Sequence, residues 1–424
     1  MSKNEHIILS EQNTYQGDDV GDVMATLQEN NVELVGLPEN YMGTPKYLGI
    51  DSNLCAGYFV GATWLIPGNL SAVVRPKVQN IDIAEMLILA LSASTEEEAE
   101  YFSKCYSINF EESAIETEES QTLLSPLLII HFITLLEHLV KHGLRKDYVT
   151  VTENLTGKLK GHLICNMQLR QNIIPKREYR NVCRYQIYTS DIPINRLLKR
   201  ALVFADKMLL VYMRKHKSFN FLQAKVNKLL TVFEGVSDQI SISQARSMAA
   251  NKLYRHYDEA VKVAKEILRR FDYSLSNVST TCHSTPPFWI DMSRLFEMYV
   301  LSMLRKSYGS DIMFQVKGHS QVADYISVKE NCVIDAKYKE WYVGEGISGE
   351  LIKDIREISG NARDKKITSL LSEPGCEPEC VIVYPNANGI KSFQTSLVEE
   401  AHHNPISQFR KFYKIPISLP ILGI

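Results

Sequence analysis

Two short β-rich runs, 321–329 and 331–336, constrain this chain more than any other feature, because each carries one aspartate and a turn at Glu330-Asn331 brings them side by side. The first run contains Val322-Ala323-Asp324-Tyr325 and the second Cys332-Val333-Ile334-Asp335-Ala336-Lys337. Antiparallel pairing sets Asp324 opposite Asp335, so both carboxylates can share one metal ion. Magnesium keeps several waters and takes only one or two protein carboxylates, so two aspartates and a nearby carbonyl, that of Ala336, are sufficient. Strand alternation puts Asp335 and Lys337 on one face, where an ammonium can orient a water or offset charge developing on a phosphate. The pattern is that of a Mg²⁺-dependent phosphodiester-cutting site.

Asp-x-Lys alone is a weak signal, and Asp364-Lys365-Lys366 has the same form. That second triplet lies in a polar, helix-like stretch without a preceding apolar run, and reads as a solvated face. Asp335, by contrast, ends a buried-strand pattern and follows an amphipathic helix over 291–306 that carries Glu297. Spacing by itself still leaves open a plain salt-bridged strand end.

At 424 residues, 45% of them hydrophobic and 23% charged, the chain has ordinary globular usage and room for two or three domains. The net charge of −2 hides strong segregation. Residues 91–120 are acidic, and residues 141–200 are basic, with Lys158, Lys160, Arg170, Arg177, Arg180 and Arg184 among them. A basic block suits a phosphate backbone, and equally an acidic partner subunit. The eight cysteines lack a disulfide rhythm, and free thiols in a cytoplasmic protein are expected. Cys376-x-x-x-Cys380 has no second ligand pair nearby, so it is not read as a zinc site. The apolar run 123–140 contains Pro126, His131, Glu137 and His138 and reads as a buried helix, with no membrane association.

Apolar alternation and the Pro67-Gly68 turn predict an N-terminal β-rich module over 1–80. Residues 81–285 are predicted mainly helical, with a basic strand-like insert at 148–163. The polar run 274–287 reads as a linker, and residues 286–424 follow as helix, strand, strand, helix, strand. The fold class expected is α+β multidomain.

The string Pro287-Phe288-Trp289-Ile290-Asp291-Met292-Ser293-Arg294-Leu295-Phe296-Glu297, then Asp324, then Val333-Ile334-Asp335-Ala336-Lys337-Tyr338-Lys339, resembles the McrC family, the nuclease subunits of McrBC modification-dependent restriction systems. Thr156-Gly157-Lys158-Leu159-Lys160-Gly161 resembles that family's glycine-bracketed basic turn, and 190–199 its Asn-Arg helix start. Val60-Gly61 with Pro76-Lys77 is similar to the short β module that opens many members. The resemblance covers most of the chain from about residue 40 onward. It implies a C-terminal α/β PD-(D/E)xK nuclease core, with Glu297 as the helix acid, Asp324 and Asp335 as metal carboxylates beside Ala336, and Lys337 as the lysine. It further implies a phage-defence endonuclease that cuts double-stranded DNA carrying modified cytosine. Mg²⁺ is the expected cofactor, with Mn²⁺ able to substitute, and the partner is a McrB-like AAA+ GTPase hexamer that alone handles GTP. The segment 354–363 is similar to the family's helix after the lysine strand. There Glu357 fills a Gln-or-Glu position and could reach the site through a water, whereas Asn361 departs from the usual aromatic.

Gly344-Glu345-Gly346-Ile347-Ser348-Gly349 matches a dinucleotide-binding string, but Glu345 and Glu350 oppose a pyrophosphate, and a loop at the cleft is expected instead. No P-loop occurs, so the chain is not expected to hydrolyse nucleotides unaided. His283 and His319 receive no role. Two rivals stand beside the nuclease reading: a catalytically inert adaptor that regulates an NTPase ring or binds DNA, and a solitary repair nuclease active without nucleotide.

Overall fold

A computed structural model describes residues 5–38, 41, 43–78, 80–95, 98–116, 121–213, 217–240, 255–271, 284–319, 321–339 and 348–422. The chain forms two compact units, one of Met1–Leu127 with Cys282–Ile424 and the other of Leu128–Thr281. The first and last of the three expected segments, 1–80 and 286–424, therefore lie in one unit. Most of the expected linker 274–287, His283 and most of the Gly344–Gly349 string fall outside the described residues. The architecture is mixed α/β with several sheets.

The first unit opens with β1 (Glu5–Ser10) and a helix at Val20–Glu29. The hairpin β2 (Phe59–Ile66) and β3 (Leu70–Arg75) follows, turning at Gly68 with φ of +72°, as the Pro67-Gly68 pair predicts. Strand β4 (Tyr106–Ile108) lies beyond the helices Ile83–Ala93 and Ala99–Ser103, and β5 (Ile115–Glu116) comes next. Ile7, Leu9, Val23, Leu27, Phe59, Leu65, Ala72 and Val74 share one buried cluster. Each large side chain so buried contributes about 1.5–3 kcal/mol.

In the second unit the expected helices form at Pro193–Met213, Asn220–Val232 and Arg255–Phe271. The basic insert is β6 (Asp147–Thr156), β7 (His162–Leu163) and β8 (Arg180–Thr189), a three-stranded sheet in the order β6-β8-β7. The long partner strand β8 was not expected. Its inward alternation Cys183, Tyr185, Ile187 is short and lies among Arg180, Arg184 and the exposed Tyr188 of the other face, so it does not stand out as a strand. The helix Gln121–Lys141 contains a window, Leu124–Lys141, apolar and long enough to cross a membrane, yet 56% of it is buried inside the protein. That fits the buried helix expected from Pro126, Glu137 and the histidines.

Past β9 (Ser284–Thr285), strand β10 (Phe288–Asp291) leaves the C-terminal part of the sequence and enters the N-terminal sheet. That sheet runs β1-β3-β2-β10-β4. Gly61 permits the insertion. A Cβ there would lie 2.1 Å from the Phe288 carbonyl oxygen, and the backbone at φ +145° disfavours any side chain. Asp291 then caps the helix Met292–Tyr308, its carboxylate accepting from Arg294 N–H at 3.2 Å. The acid-bearing helix is thus launched from the N-terminal sheet.

The second sheet of this unit is β11 (Ile312–Lys317), β12 (Val322–Ser327), β13 (Cys332–Ala336), β14 (Glu379–Ile390) and β15 (Phe412–Ile417), in that spatial order. The first three are antiparallel, and β13, β14 and β15 are parallel. The helix Gly349–Arg363 lies between β13 and β14 in sequence and buries Leu351, Ile355 and Ile358 in the core beneath the sheet. The anticipated helix, strand, strand, helix, strand elements are present, but β11 intervenes after the first helix and β15 follows at the end, neither of which was expected.

Candidate metal-dependent active site

Strands β12 and β13 pair from Ser327↔Cys332 to Tyr325↔Ile334, so Asp324 and Asp335 come next along the two strands. The backbone ladder stops there because Asp324 Oδ2 accepts the Ala336 N–H at 2.9 Å. A side chain has replaced a strand partner, and the two aspartates stand side by side. Lys337 extends the edge of β13, its N–H donating to Val383 O at 2.8 Å. Its side chain, 12% exposed, brings Nζ to 3.0 Å from Asp335 Oδ2 and 2.9 Å from Glu357 Oε2. Glu357 thus meets the lysine directly, without the water the sequence suggested.

Glu297 enters from the helix Met292–Tyr308 and is buried. The Tyr101 hydroxyl, from the helix Ala99–Ser103, donates to Glu297 Oε2, and Gln315 Nε2 on β11 donates to the same oxygen at 3.4 Å. Tyr325 fixes the backbone beneath, its hydroxyl donating to Glu297 O at 2.6 Å. Glu297, Asp324, Ala336, Lys337 and Glu357 line one cleft of about 430 Å³, and Asp335 lies buried behind Lys337.

The electrostatics are those of a site with too much negative charge. Burial pushes Asp324 up to about 7, and repulsion from Glu297 adds to it, against Lys337 and the Ala336 N–H. Burial likewise pushes Glu297 up to about 7, opposed by the Tyr101 hydroxyl and reinforced by Asp291. Asp335 is raised well above the carboxylate range by burial, with Lys337 pulling it back and Asp324 and Glu357 pushing further. For Lys337, burial alone would favour the neutral amine, but Asp335, Asp324 and Glu357 overcome it and hold the ammonium firmly protonated.

That donor set fits a hard divalent cation. It is all oxygen, it carries several carboxylates around one ammonium, and Asp335 Oδ2 finds no well-directed hydrogen-bond donor despite its ion contact with Lys337. Among the described residues no three His, Cys, Asp or Glu side chains form a group placed to hold a metal ion by themselves.

Several neighbours were not anticipated. Tyr101 and Gln315 carry no pattern that links them to Glu297 in sequence. Lys339, two residues beyond Lys337, is buried against Asp354, with Nζ 3.1 and 3.2 Å from its two carboxylate oxygens. Strand alternation could have suggested that lysine. Asp364, read as part of a solvated face, caps the short helix Lys365–Thr368 by accepting Lys366 N–H at 2.8 Å, and it also binds His319 Nδ1 at 2.7 Å. Only Lys365 and Lys366 of that triplet are exposed. Cys376 is an exposed free thiol and Cys380 a buried one.

The model of one protein family, described as "McrBC 5-methylcytosine restriction system component", matches residues 66–351. Two solved structures are similar at a distance. A half-complex from a tetradecameric assembly of Thermococcus gammatolerans McrB AAA+ hexamers with bound McrC shares 16% identity, with 98% of this chain and 95% of that chain covered and a TM-score of 0.39. The Thermococcus gammatolerans McrBC complex shares 16% identity, with 70% and 87% covered and a TM-score of 0.30. None of the curated proteins compared matches the chain.

Proposed function

Because the chain belongs to the McrBC 5-methylcytosine restriction system component family, we propose that it is the McrC-type endonuclease subunit, cutting DNA by Mg²⁺-assisted hydrolysis in a PD-(D/E)xK site. The observation that carries this reading is the meeting of Asp324, Lys337 and Glu297 from two strands and a helix around one cleft, with Asp335 buried against the Lys337 ammonium. When bound, Mg²⁺ supplies Lewis-acid activation of a water and neutralises charge on the phosphate. Asp324 and Asp335 would hold it, with the Ala336 carbonyl as a further oxygen. Lys337, braced between Asp335 and Glu357, keeps an ammonium where the scissile phosphate gathers charge. Glu297, held by Tyr101, completes the acidic wall or would orient a water there. Glu357 acts through Lys337, as its orienting partner.

The family reading extends to a McrB-like AAA+ GTPase hexamer as partner, to DNA carrying modified cytosine as substrate, and to the cytoplasm. In this reading GTP is spent by the partner, whose hydrolysis this chain stimulates through its N-terminal module. The test is Lys337→Ala and Asp335→Ala, each assayed with the partner GTPase, GTP, Mg²⁺ and 5-methylcytosine DNA. Loss of cleavage with GTPase stimulation intact is expected. Retained cleavage would remove these residues from the mechanism and leave the adaptor reading.

A further inference from the structure

The geometry points to Lys77 as a positioning residue for Lys337, so that the edge of the N-terminal sheet forms part of the nuclease site; this rests on the nuclease reading above. Strands β1 and β3 end together, their last paired residues being Ser10 and Arg75. One residue further, Glu11 N–H still donates to Arg75 O at 2.8 Å. The chain then departs from strand geometry at a cost. Gln12 adopts a left-handed backbone with φ of +58°, a conformation disfavoured for any residue with a Cβ. That turn sends the Gln12 side chain into the cleft.

Lys77 spends its charge on the residue beside Lys337. Its Nζ donates to Tyr338 O at 2.9 Å and to Gln12 Oε1 at 3.1 Å, and it lies 3.9 Å from the centre of the Tyr338 ring. The same short segment grips Tyr338 at its other end. Glu11 Oε2 accepts the Lys77 backbone N–H at 3.2 Å and the Tyr338 hydroxyl at 3.4 Å. Phe296, next to Glu297, also packs against the Tyr338 ring with centroids 5.6 Å apart. Strand β13 has ended by then, and the Lys337 backbone N–H donates to Val383 O beyond the strand's last residue. The Tyr338 clasp anchors the peptide that follows Lys337, and so backs from the main chain the bracing that Asp335 and Glu357 give its ammonium. Glu11 and Lys77 stand 327 and 261 positions from Tyr338 in the chain, so no local preference explains the arrangement.

The experiment compares Lys77→Met, which keeps the stem and removes the charge, with Lys77→Arg, which keeps it. The full chain is assayed with partner GTPase, GTP, Mg²⁺ and methylated DNA. Lys77→Met is expected to lower the cleavage kcat at least tenfold, with KM for DNA and GTPase stimulation unchanged, and Lys77→Arg to recover most of the rate. A second readout needs no turnover: amine acetylation followed by mass spectrometry should label Lys337 several-fold faster in Lys77→Met than in the wild type or Lys77→Arg. A wild-type cleavage rate and wild-type Lys337 labelling in Lys77→Met would overturn the inference. So would equal losses in both variants accompanied by a lowered Tm, which would make Lys77 a structural residue only. Should Lys77→Met fail to fold, Gln12→Leu, which removes one acceptor of the same ammonium, is expected to give a smaller kcat loss with the same labelling change, and the absence of both overturns the inference. Lys337→Ala run alongside separates the two levels. If it abolishes cleavage while Lys77→Met cuts normally, only this inference falls; if it still cuts, the nuclease reading falls with it.

Discussion

Tyr101 and Glu297, 196 positions apart in the chain, meet hydroxyl to carboxylate at the wall of the cleft. The hydroxyl favours the ionised form of an acid that burial otherwise pushes up to about 7. Tyr101→Phe should therefore raise that acid further. Fewer Glu297 side chains are ionised at pH 7, and the acid limb of the cleavage rate moves to higher pH. Removal of one hydroxyl facing a buried carboxylate costs about 1–3 kcal/mol of stability, so the profile is read after thermal unfolding shows the variant folded. A pH–rate profile that does not move would show that Glu297 has no titrating part in the rate.

Asp324 gives a prediction of opposite sign for stability and activity. Its folded pKa, about 7, lies above its ordinary value of 3.8, so between those values the folded state binds more protons than the unfolded. Stability without metal should therefore fall as pH rises from about 4 to about 7, and Mg²⁺ should restore part of it at pH 8. Asp324→Asn removes the charge and should stabilise the metal-free protein by on the order of 1–3 kcal/mol at pH 8 while abolishing cleavage. Thermal unfolding with and without Mg²⁺ checks both parts. A variant less stable than the wild type at pH 8 would contradict the charge argument.

Gly61→Ala tests the joint between the N-terminal sheet and the acid helix. The new Cβ would fall 2.1 Å from Phe288 O, at a backbone φ of +145°. Strand β10 must shift away from β2, and a loss of roughly 2–4 kcal/mol in denaturant unfolding is expected. A loss below about 1 kcal/mol would mean the strands can part without cost.

Glu98 and Arg305 form a two-pronged pair, with guanidinium nitrogens 2.5 and 2.6 Å from the carboxylate oxygens, and Arg305 also donates to Ala93 O at 2.7 Å. Burial tends to raise Glu98, but Arg305 and the Thr95 N–H prevail and hold it below the usual range. Its contribution is thus present above the ordinary glutamate pKa and fades as pH drops through the lowered one. Glu98→Gln should flatten acid unfolding in that window and cost about 1–3 kcal/mol at neutral pH. An unchanged acid-unfolding curve would count against the pair.

Much of the site was legible because its key spacing is local. Asp324, Asp335 and Lys337 lie within one hairpin and its extension, where strand alternation and a turn at Asn331, with φ of +49°, fix who faces whom. Glu297 was legible through helical periodicity and the family-like string around it. Tyr101, Gln315 and Lys77 were not, since each arrives from a distant segment by tertiary packing, which period and propensity do not encode. Strand β10 escaped for a related reason: Phe288-Trp289-Ile290 is a short apolar run, and which sheet it joins depends on Gly61, more than two hundred residues earlier. Glu357 was placed on the right helix, but the reach of Lys337 closed the gap assigned to a water.

Strand β10 sits between β2 and β4, so the N-terminal sheet is incomplete until residue 291 has been synthesised. Ribosome-bound chains must hold β2 and β4 apart, or pair them wrongly, until that late piece arrives. The helix that follows β10 carries Glu297 to the cleft, so that wall takes shape only after the late strand has emerged and paired, and shorter translation products lack it.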